Sequence, residues 1–210
     1  MPKRRLISAR LAVSRFTPIR WVIKRLMPRI RFSTQATRMT GWRYRAGLAM
    51  VQPGDIILTV DYARLGAKLT PGLSSHAAIC VSKPSDTAYC AEMTALGFGI
   101  VEWFDICHHA DRVFICRCTE WDDDYIESVL EKVMEYCRVK TQYDFDFCHG
   151  DDRLYCSELI HVADVEGRLG VTPTRLFLTG EEVVTPDDLR TAKNVNTMFD
   201  SDFRTVIRSV

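Results

Sequence analysis

The stretch Leu154-Tyr155-Cys156-Ser157-Glu158-Leu159-Ile160 places a cysteine at the point where a loop enters an apolar helix. The preceding residues, Gly150-Asp151-Asp152, are typical of a loop, and the apolar residues after Cys156 have the spacing of a helix with one inward face. A helix N-terminus is electropositive and lowers the pKa of a thiol placed there. The stretch therefore predicts a nucleophilic Cys156 at the start of a helix, with a structural cysteine as the alternative.

Two other residues that thiol chemistry needs stand upstream of this cysteine. His76 follows Ser74-Ser75 and begins a short apolar segment. Glu92 lies near the end of a neighbouring segment, where a carboxylate could fix the orientation and tautomer of an imidazole. Taken singly, a histidine at the mouth of a strand and a carboxylate at its end are often only solvated. Their interpretation depends on the pattern of the whole chain.

Short apolar segments separated by turn residues indicate a sheet. They are Ile56–Val60, His76–Val81, Thr87–Met93, Ile100–Phe104 and Arg112–Cys118. Asp122-Asp123-Asp124 marks the acidic start of a helix, in which apolar residues recur at helical spacing as far as Cys137. A second helix is expected from Cys156, and a short helical turn at Thr185-Pro186-Asp187-Asp188. The pattern predicts an α+β fold, a mostly antiparallel sheet with packed helices.

Five motifs follow one another along the chain. They are Pro53-Gly54-Asp55-Ile56-Ile57-Leu58, Ser75-His76-Ala77-Ala78-Ile79, Ala91-Glu92-Met93, Tyr143-Asp144 and Tyr155-Cys156-Ser157-Glu158-Leu159. Their order resembles the permuted NlpC/P60 enzymes, the YiiX/YaeF-like papain-fold amidases. In that family the histidine and its polar partner precede the cysteine, the reverse of the ordinary NlpC/P60 order. The resemblance covers about residues 51–190, and Thr185-Pro186-Asp187-Asp188-Leu189 is similar to a family segment near its end.

The resemblance implies a papain-like fold with a triad of Cys156, His76 and Glu92. It also implies acyl transfer, in which His76 takes the thiol proton and the thiolate attacks an amide carbonyl, with cell-wall peptides as the expected substrate. Backbone N–H groups near Cys156 would hold the oxyanion, and Tyr155 either adds a hydroxyl or packs as a core residue. We expect a groove lined by Tyr155 and residues 67–75 to expose the sulfur. No cofactor, metal or obligate partner is expected beyond the peptide or acyl substrate.

One enzyme alternative, a competing metal site and one non-enzymatic alternative remain. The lecithin:retinol acyltransferase group, which acts on lipid acyl chains, shares the papain-like core but has N-C-E-H where this chain has Tyr155-Cys156-Ser157-Glu158. A zinc site is the competing chemistry, and its candidate ligands are Cys107, His108, His109, Cys116 and Cys118. No C-x-x-C pair supports such a site. The non-enzymatic alternative is a scaffold protein whose basic arm binds nucleic acid or membrane.

Charge divides the chain into two parts. Residues 1–54 contain 13 of the 28 Lys and Arg and no Asp or Glu, whereas the remainder carries all 27 acidic residues. We expect residues 1–48 to be a basic amphipathic extension, interrupted by Pro18 and Pro28, and residues 49–210 to be the hydrolase domain. The extension suits an anionic membrane, cell wall or nucleic acid, and the alternative is a disordered tail or a targeting peptide.

Cysteine usage and hydropathy bear on location. The eight cysteines are irregularly spaced in a chain of 210 residues, which favours reduced thiols over a disulfide framework. Basic residues interrupt the N-terminal apolar positions, so no signal peptide is evident, and no stretch reaches the roughly 18 apolar residues of a transmembrane helix. The expected location is the cytoplasm or a membrane surface.

Overall fold

A computed structural model of the chain describes Met39 and residues 41–62, 72–139, 141–145, 153–175 and 181–202. The amphipathic pieces expected before residue 39, the loop residues 67–71 and Gly150-Asp151-Asp152 lie outside the described residues. No described helix is both long and apolar enough to cross a membrane.

Helices and strands alternate along the described chain. The helices are α1 (Trp42–Met50), α2 (Trp103–His108), α3 (Asp123–Arg138), α4 (Cys156–Ala163) and α5 (Pro186–Arg190). The strands are β1 (Ile56–Val60), β2 (His76–Ser82), β3 (Tyr89–Thr94), β4 (Gly97–Glu102), β5 (Arg112–Cys118), β6 (Gln142–Tyr143), β7 (Arg153–Leu154), β8 (Thr174–Arg175), β9 (Glu182–Val183) and β10 (Val195–Asp200). Helix α3 begins at the predicted acidic triplet because the Asp122 carboxylate accepts a hydrogen bond from the Tyr125 N–H at 2.9 Å.

Six strands form one antiparallel sheet in the order β10-β5-β1-β2-β3-β4. This sheet with its packed helices confirms the predicted α+β fold. The strand predicted over Ile100–Phe104 instead ends at Glu102, and the chain turns into α2. The reason is Trp103, whose indole is fully buried and donates to the Tyr44 carbonyl at 3.3 Å.

Both faces of the sheet are covered, which explains why every residue of β1 is buried. Successive side chains of a strand point to opposite faces. Ile56 and Leu58 therefore pack with α3, α4 and α5 on one face, whereas Ile57 packs with α1 and α2 on the other. A strand covered on both sides needs an almost uninterrupted apolar run, as the sequence of β1 provides.

Helix α1 crosses the boundary predicted between residues 48 and 49. Gly47 is buried, and a Cβ at this position would lie 2.6 Å from Cζ2 of Trp103. Met39 is 3% exposed and packs in the same core as Trp103. Met39 and residues 41–48 thus pack with the domain. The predicted boundary followed the distribution of charged residues, which does not indicate which of the apolar residues among them are buried.

Candidate active site

Cys156 is the first residue of α4. Tyr155 before it has an extended backbone (φ −100°, ψ 173°), and its N–H donates to Oε2 of Glu158 at 3.4 Å, which closes the first turn of the helix. Helix α4 packs against β2 and β3, so its N-terminus is held against the sheet. Cys156 is 7% exposed and lies at the helix end whose dipole favours a thiolate.

His76 begins β2, and both other predicted site residues act on its imidazole. Cys156 and Glu92 each raise its pKa, and its Nε2 lies 2.7 Å from Oε2 of Glu92. The side chains of His76 and Glu92 are 25% and 17% exposed, so the pair keeps some contact with solvent. The fold therefore brings together three residues that are far apart in the sequence.

The register of β2 and β3 explains why Glu92 reaches His76. Glu92 lies opposite Ala78, so His76 is its diagonal neighbour on the same face of the sheet. Long side chains can span this diagonal. Glu102 is the other acid on a predicted strand, but it lies opposite Tyr89, away from the end of the sheet that carries His76.

The hydrogen bonds and charges of the site shift the pKa values of His76 and Cys156 in opposite directions. Burial lowers the pKa of His76, but the hydrogen bonds and charges of Cys156 and Glu92 outweigh it and raise this pKa to about 10. Burial raises the pKa of Cys156, but the hydrogen bond and charge of His76 outweigh it. The Ala77 N–H also lowers the pKa of this sulfur. Both shifts favour the charged pair, a thiolate and an imidazolium, over the neutral pair.

Tyr155 does not line an open groove in this structure. It is 2% exposed, and its hydroxyl oxygen accepts a hydrogen bond from the Val184 N–H at 2.9 Å. Of the two roles left open for it, packing is the one that these contacts support. The other predicted groove wall, residues 67–75, is described only from Gly72 onwards.

Two groups near the site were not assigned a role from the sequence. Tyr143 lies beside Cys156, and burial together with the charges of Cys156 and Asp144 raises the pKa of its hydroxyl. Asp187 accepts hydrogen bonds from the backbone of the loop that leads into His76. The Pro-Asp-Asp sequence indicates a helix start at Asp187, but nothing local in it reveals which loop the carboxylate contacts.

The candidate zinc ligands are divided between the two cores. Cys107 packs on the face covered by α1 and α2, whereas Cys116 and Cys118 pack on the opposite face. The sheet itself therefore separates these thiols. The ring of His108 stacks on Phe104, and that of His109 lies edge-on to His108.

Asp55 belongs to the turn before β1 and not to the site. Its carboxylate accepts from the Gln52 N–H at 2.8 Å and forms a bidentate pair with Arg117, at 2.7 and 2.8 Å. It stands at the start of β1, whereas Thr59 near the other end of that strand lies opposite His76. The turn-forming role expected for an aspartate after Pro-Gly accounts for its position.

Comparisons with known proteins show which family the chain belongs to. The sequence profile of the permuted papain-like amidase enzymes, YaeF/YiiX, C92 family, matches residues 50–207. The crystal structure of the metalloprotein yiiX from Escherichia coli O157:H7 is similar in fold, with a TM-score of 0.59, 20% identity, and coverage of 70% of this chain and 95% of that chain. No curated protein gives a significant sequence match. The resemblance drawn from the five motifs is thus confirmed, and the chain belongs to the family of permuted papain-like amidase enzymes of the YaeF/YiiX type.

Proposed function

We propose that the protein is a cysteine-type amidase that cleaves an amide bond through an acyl-enzyme on Cys156. Membership of the amidase family supports the reaction class. The observation that carries the assignment of residues is the contact chain from Cys156 to His76 to Glu92. In this proposal Cys156 is the nucleophile, His76 transfers protons and Glu92 orients the imidazole.

The first half of the reaction forms the acyl-enzyme. The thiol proton resides on His76 before substrate arrives, because the pKa of His76 is raised and that of Cys156 is lowered. The thiolate attacks the amide carbon, and the carbonyl π electrons move to oxygen to give a tetrahedral oxyanion. As this intermediate collapses, the C–N bond breaks and His76 gives its proton to the leaving amine. In this proposal His76 has taken the thiol proton before substrate arrives, and it acts next as the acid that protonates the leaving amine.

The second half releases the product. Neutral His76 takes a proton from water while the water oxygen attacks the thioester carbon. Collapse of the second tetrahedral intermediate expels the Cys156 thiolate and leaves a carboxylic acid, and the imidazolium–thiolate pair is restored. Glu92 accepts a hydrogen bond from Nε2 throughout and leaves Nδ1 to exchange the proton.

The oxyanion needs hydrogen-bond donors close to the sulfur. The first N–H groups of a helix have no carbonyl acceptor within it, and they lie at its electropositive end. Cys156 and Ser157 are the first two residues of α4, so we assign the oxyanion to their N–H groups.

Cell-wall peptides are the substrate class we propose, on the resemblance to NlpC/P60 enzymes. The basic, acid-free sequence of residues 1–54 would attract the protein to an anionic polymer. The same observation favours a second candidate, an acyl hydrolase or acyltransferase that works on lipid at an anionic membrane.

Metal chemistry has no part in this proposal. The similar yiiX protein from Escherichia coli O157:H7 is described as a metalloprotein. In the part of this chain that the structure describes, no three His, Cys, Asp or Glu side chains form a group that could hold a metal ion. The described residues do not fit a bound metal, and every proposed step uses the side chains of this chain alone.

A substrate panel tests the proposal. The full-length protein, Cys156→Ala and Cys137→Ala are incubated with murein peptides, acyl esters and phospholipids. Cys137 is a suitable control because it lies on α3, outside the contact chain, and is more exposed than Cys156. We expect amine release from murein peptides by the wild type and Cys137→Ala only. Turnover by Cys156→Ala would refute the nucleophile, and turnover of lipids alone would favour the second candidate.

A further inference from the structure

The residues Val184-Thr185-Pro186-Asp187, here named the 184–187 segment, lead from β9 into α5. The sequence marks this segment only as the capped start of a short helix. In the structure it contacts both the helix that carries Cys156 and the loop that leads into His76.

On the cysteine side, the segment holds the two residues that flank Cys156. The Val184 N–H donates to the Tyr155 hydroxyl oxygen at 2.9 Å, and the Ser157 hydroxyl donates to the Val184 carbonyl at 2.7 Å. Tyr155, Ser157 and Val184 are each at most 2% exposed. Loss of either bond would leave a buried polar group without this partner, which is costly. The backbone of one residue therefore fixes the chain on either side of the nucleophile.

On the histidine side, Asp187 holds the loop before β2. Its Oδ2 accepts from the Leu73 N–H at 2.5 Å and its Oδ1 from the Ser74 N–H at 3.3 Å. Gly72 permits this approach, because its φ is +100° and a Cβ there would lie 2.5 Å from Oδ2 of Asp187. His76 follows Ser74 by two residues, so the carboxylate fixes the chain just before the imidazole.

Asp187 can contact the loop before β2 because its neighbour Asp188, and not Asp187, caps helix α5. Asp188 accepts from the Thr185 N–H at 2.8 Å, and the Thr185 hydroxyl accepts from the Asp188 N–H at 3.1 Å. Burial raises the pKa of Asp187, but hydrogen bonds from Leu73 and Ser74 and the charge of Arg190 outweigh it and lower this pKa. Two adjacent aspartates thus have different roles: Asp187 contacts the loop before His76, whereas Asp188 caps α5 and accepts from the N–H and the hydroxyl of Thr174 at 3.2 and 2.8 Å.

We propose that the 184–187 segment positions His76 against Cys156, with Asp187 as the positioning residue on the histidine side. The inference rests on the proposed function, since positioning affects a rate only if this pair reacts. Away from Cys156, residues of α4 and β2 such as Ile160 and Ala77 belong to one apolar core, and apolar contacts have no preferred direction. Hydrogen bonds to one shared segment do fix direction, and a misplacement of about 1 Å can cost about 100-fold in rate.

The test compares Asp187→Asn with Asp188→Asn in the full-length protein. Asparagine keeps the size of aspartate, but its NH₂ group faces one of the loop N–H groups instead of accepting from it. Three quantities are measured: the thermal midpoint, kcat and KM on the substrate found above, and the pH profile of Cys156 alkylation by iodoacetamide. For Asp187→Asn we expect kcat to fall about tenfold or more with KM changed less than about twofold. The alkylation profile should also move to higher pH. Asp188→Asn should lower the thermal midpoint and leave the alkylation profile in place.

Two results would overturn the inference. One is an alkylation profile and kcat of Asp187→Asn equal to the wild type. The other is an equal shift in Asp188→Asn, which would attribute the effect to general loss of stability. Alkylation does not require turnover, so the two proposals can fail separately. If Cys156→Ala kept hydrolysing while Asp187→Asn shifted the profile, the proposed function would fall and the positioning role would stand.

A second variant keeps the test decisive if Asp187→Asn does not fold. Tyr155→Phe removes the hydroxyl that accepts from the Val184 N–H and so releases the cysteine side of the segment. It should also lower kcat and move the alkylation profile to higher pH. In the double variant the losses should be smaller than the product of the single losses, because either change alone already disconnects the two sides. Fully multiplicative losses would contradict a shared segment.

Discussion

The carboxylate of Glu92 and the imidazole of His76 meet at 2.7 Å although they are not opposite each other in the sheet. The residue opposite Glu92 is Ala78, one of the small residues of β2. Because Ala78 has only a methyl group, the longer glutamate side chain can pass along the same face to His76. The contact thus depends on the register of β2 and β3 as much as on the two residues themselves.

Glu92→Gln should therefore weaken the site without unfolding the protein. The amide keeps the shape and one hydrogen-bond oxygen, but the negative charge that raises the pKa of His76 is lost. We expect kcat on an amide substrate to fall by up to about 100-fold, because the imidazole is no longer held in the productive orientation. Glu102→Gln is the matched control, because Glu102 pairs with Tyr89 and should leave kcat unchanged. Equal losses in the two variants would remove Glu92 from the proposed triad.

The thiolate state of Cys156 should be visible in its reactivity. Because the pKa of Cys156 is lowered from an ordinary 9.0, the thiolate persists at pH values where a free thiol is protonated. Alkylation by limiting iodoacetamide at pH 6 to 7, followed by peptide mapping, should therefore modify Cys156 before the other cysteines. Cys90 and Cys107 should react least among the buried thiols, because the hydrogen bond with Cys80 and burial raise the pKa of Cys90 and burial raises that of Cys107.

His76→Ala is the control for this reactivity. It removes the imidazolium whose hydrogen bond and charge lower the pKa of Cys156, so burial then dominates and raises it. Labelling of Cys156 near neutral pH should become slow and should recover only in alkaline solution. Undiminished labelling of Cys156 in His76→Ala would show that a group other than His76 stabilises the Cys156 thiolate.

The ion pair should also shape the dependence of stability on pH. The pKa of His76 rises from 6.5 to about 10 on folding, so its contribution is complete below 6.5 and is lost as the pH rises through about 10. The pKa of Cys156 falls on folding, so its contribution is complete above 9.0 and is lost as the pH falls through the lowered value. Where the pH lies above both 6.5 and the lowered pKa of Cys156 but below 9.0, the two slopes cancel, and the pair's contribution should be constant.

Urea unfolding at a series of pH values measures this profile. The quantity of interest is the difference in free energy of unfolding between the wild type and Cys156→Ala, which cancels the titration of distant groups. The difference should be constant within that pH window and decrease as the pH rises above 9.0. A difference that does not change with pH would mean that the buried pair is neutral in the folded protein.

The sequence predicted the elements whose patterns are local. The apolar run Ile56–Val60 became a fully buried strand, and the helix over Asp123–Arg138 starts at its acidic cap. Helix α2 was not predicted because its position depends on Trp103 reaching the core under α1. Strand β10 was not predicted either, since its half-buried residues carry a weak pattern and it joins the sheet only through pairing with β5.

The candidate site likewise contains residues that local sequence predicts and contacts that only the assembled fold reveals. Cys156 stands at a helix start and His76 at a strand start, and both positions follow from local sequence. The choice of Glu92 over Glu102 requires the register of two strands, which the sequence leaves open. The contact of Asp187 with Leu73 joins residues 114 positions apart, so only the assembled fold reveals it.

Gly47→Ala should destabilise the protein although alanine favours helices. In the middle of a helix alanine is better than glycine by about 1 kcal/mol. Here the new Cβ would lie 2.6 Å from Cζ2 of Trp103, an indole that is fully buried and hydrogen-bonded to the Tyr44 carbonyl. Overpacking of this kind costs about 1 to 3 kcal/mol, so the net effect on the free energy of unfolding should be unfavourable.

Gly99→Ala is the comparison for Gly47→Ala. Gly99 lies on β4, and a Cβ there would have no atom within 4 Å. Urea unfolding should therefore show little change for Gly99→Ala and a lower midpoint for Gly47→Ala, with similar kcat in both. Equal midpoints would mean that α1 can move away from Trp103 at no cost.

Removal of the N-terminal residues should separate location from fold. Residues 1–38 contain 11 Lys and Arg and no acidic residue, whereas Met39 and α1 are packed against the sheet core. A chain that starts at Met39 should therefore unfold cooperatively and keep its turnover of a small soluble substrate. It should bind anionic vesicles less than the full chain, whose binding should decrease as salt is added.

A chain that starts at Ala49 distinguishes this boundary from the one that the charge pattern predicts. It lacks most of α1, including Gly47 and the Tyr44 carbonyl that accepts from the Trp103 indole. Trp103 would then be partly uncovered with its N–H deprived of this partner, and the thermal midpoint should fall well below that of the chain starting at Met39. Equal midpoints for the two shortened chains would show that α1 rests on the domain without stabilising it, and the boundary at residue 49 would then hold.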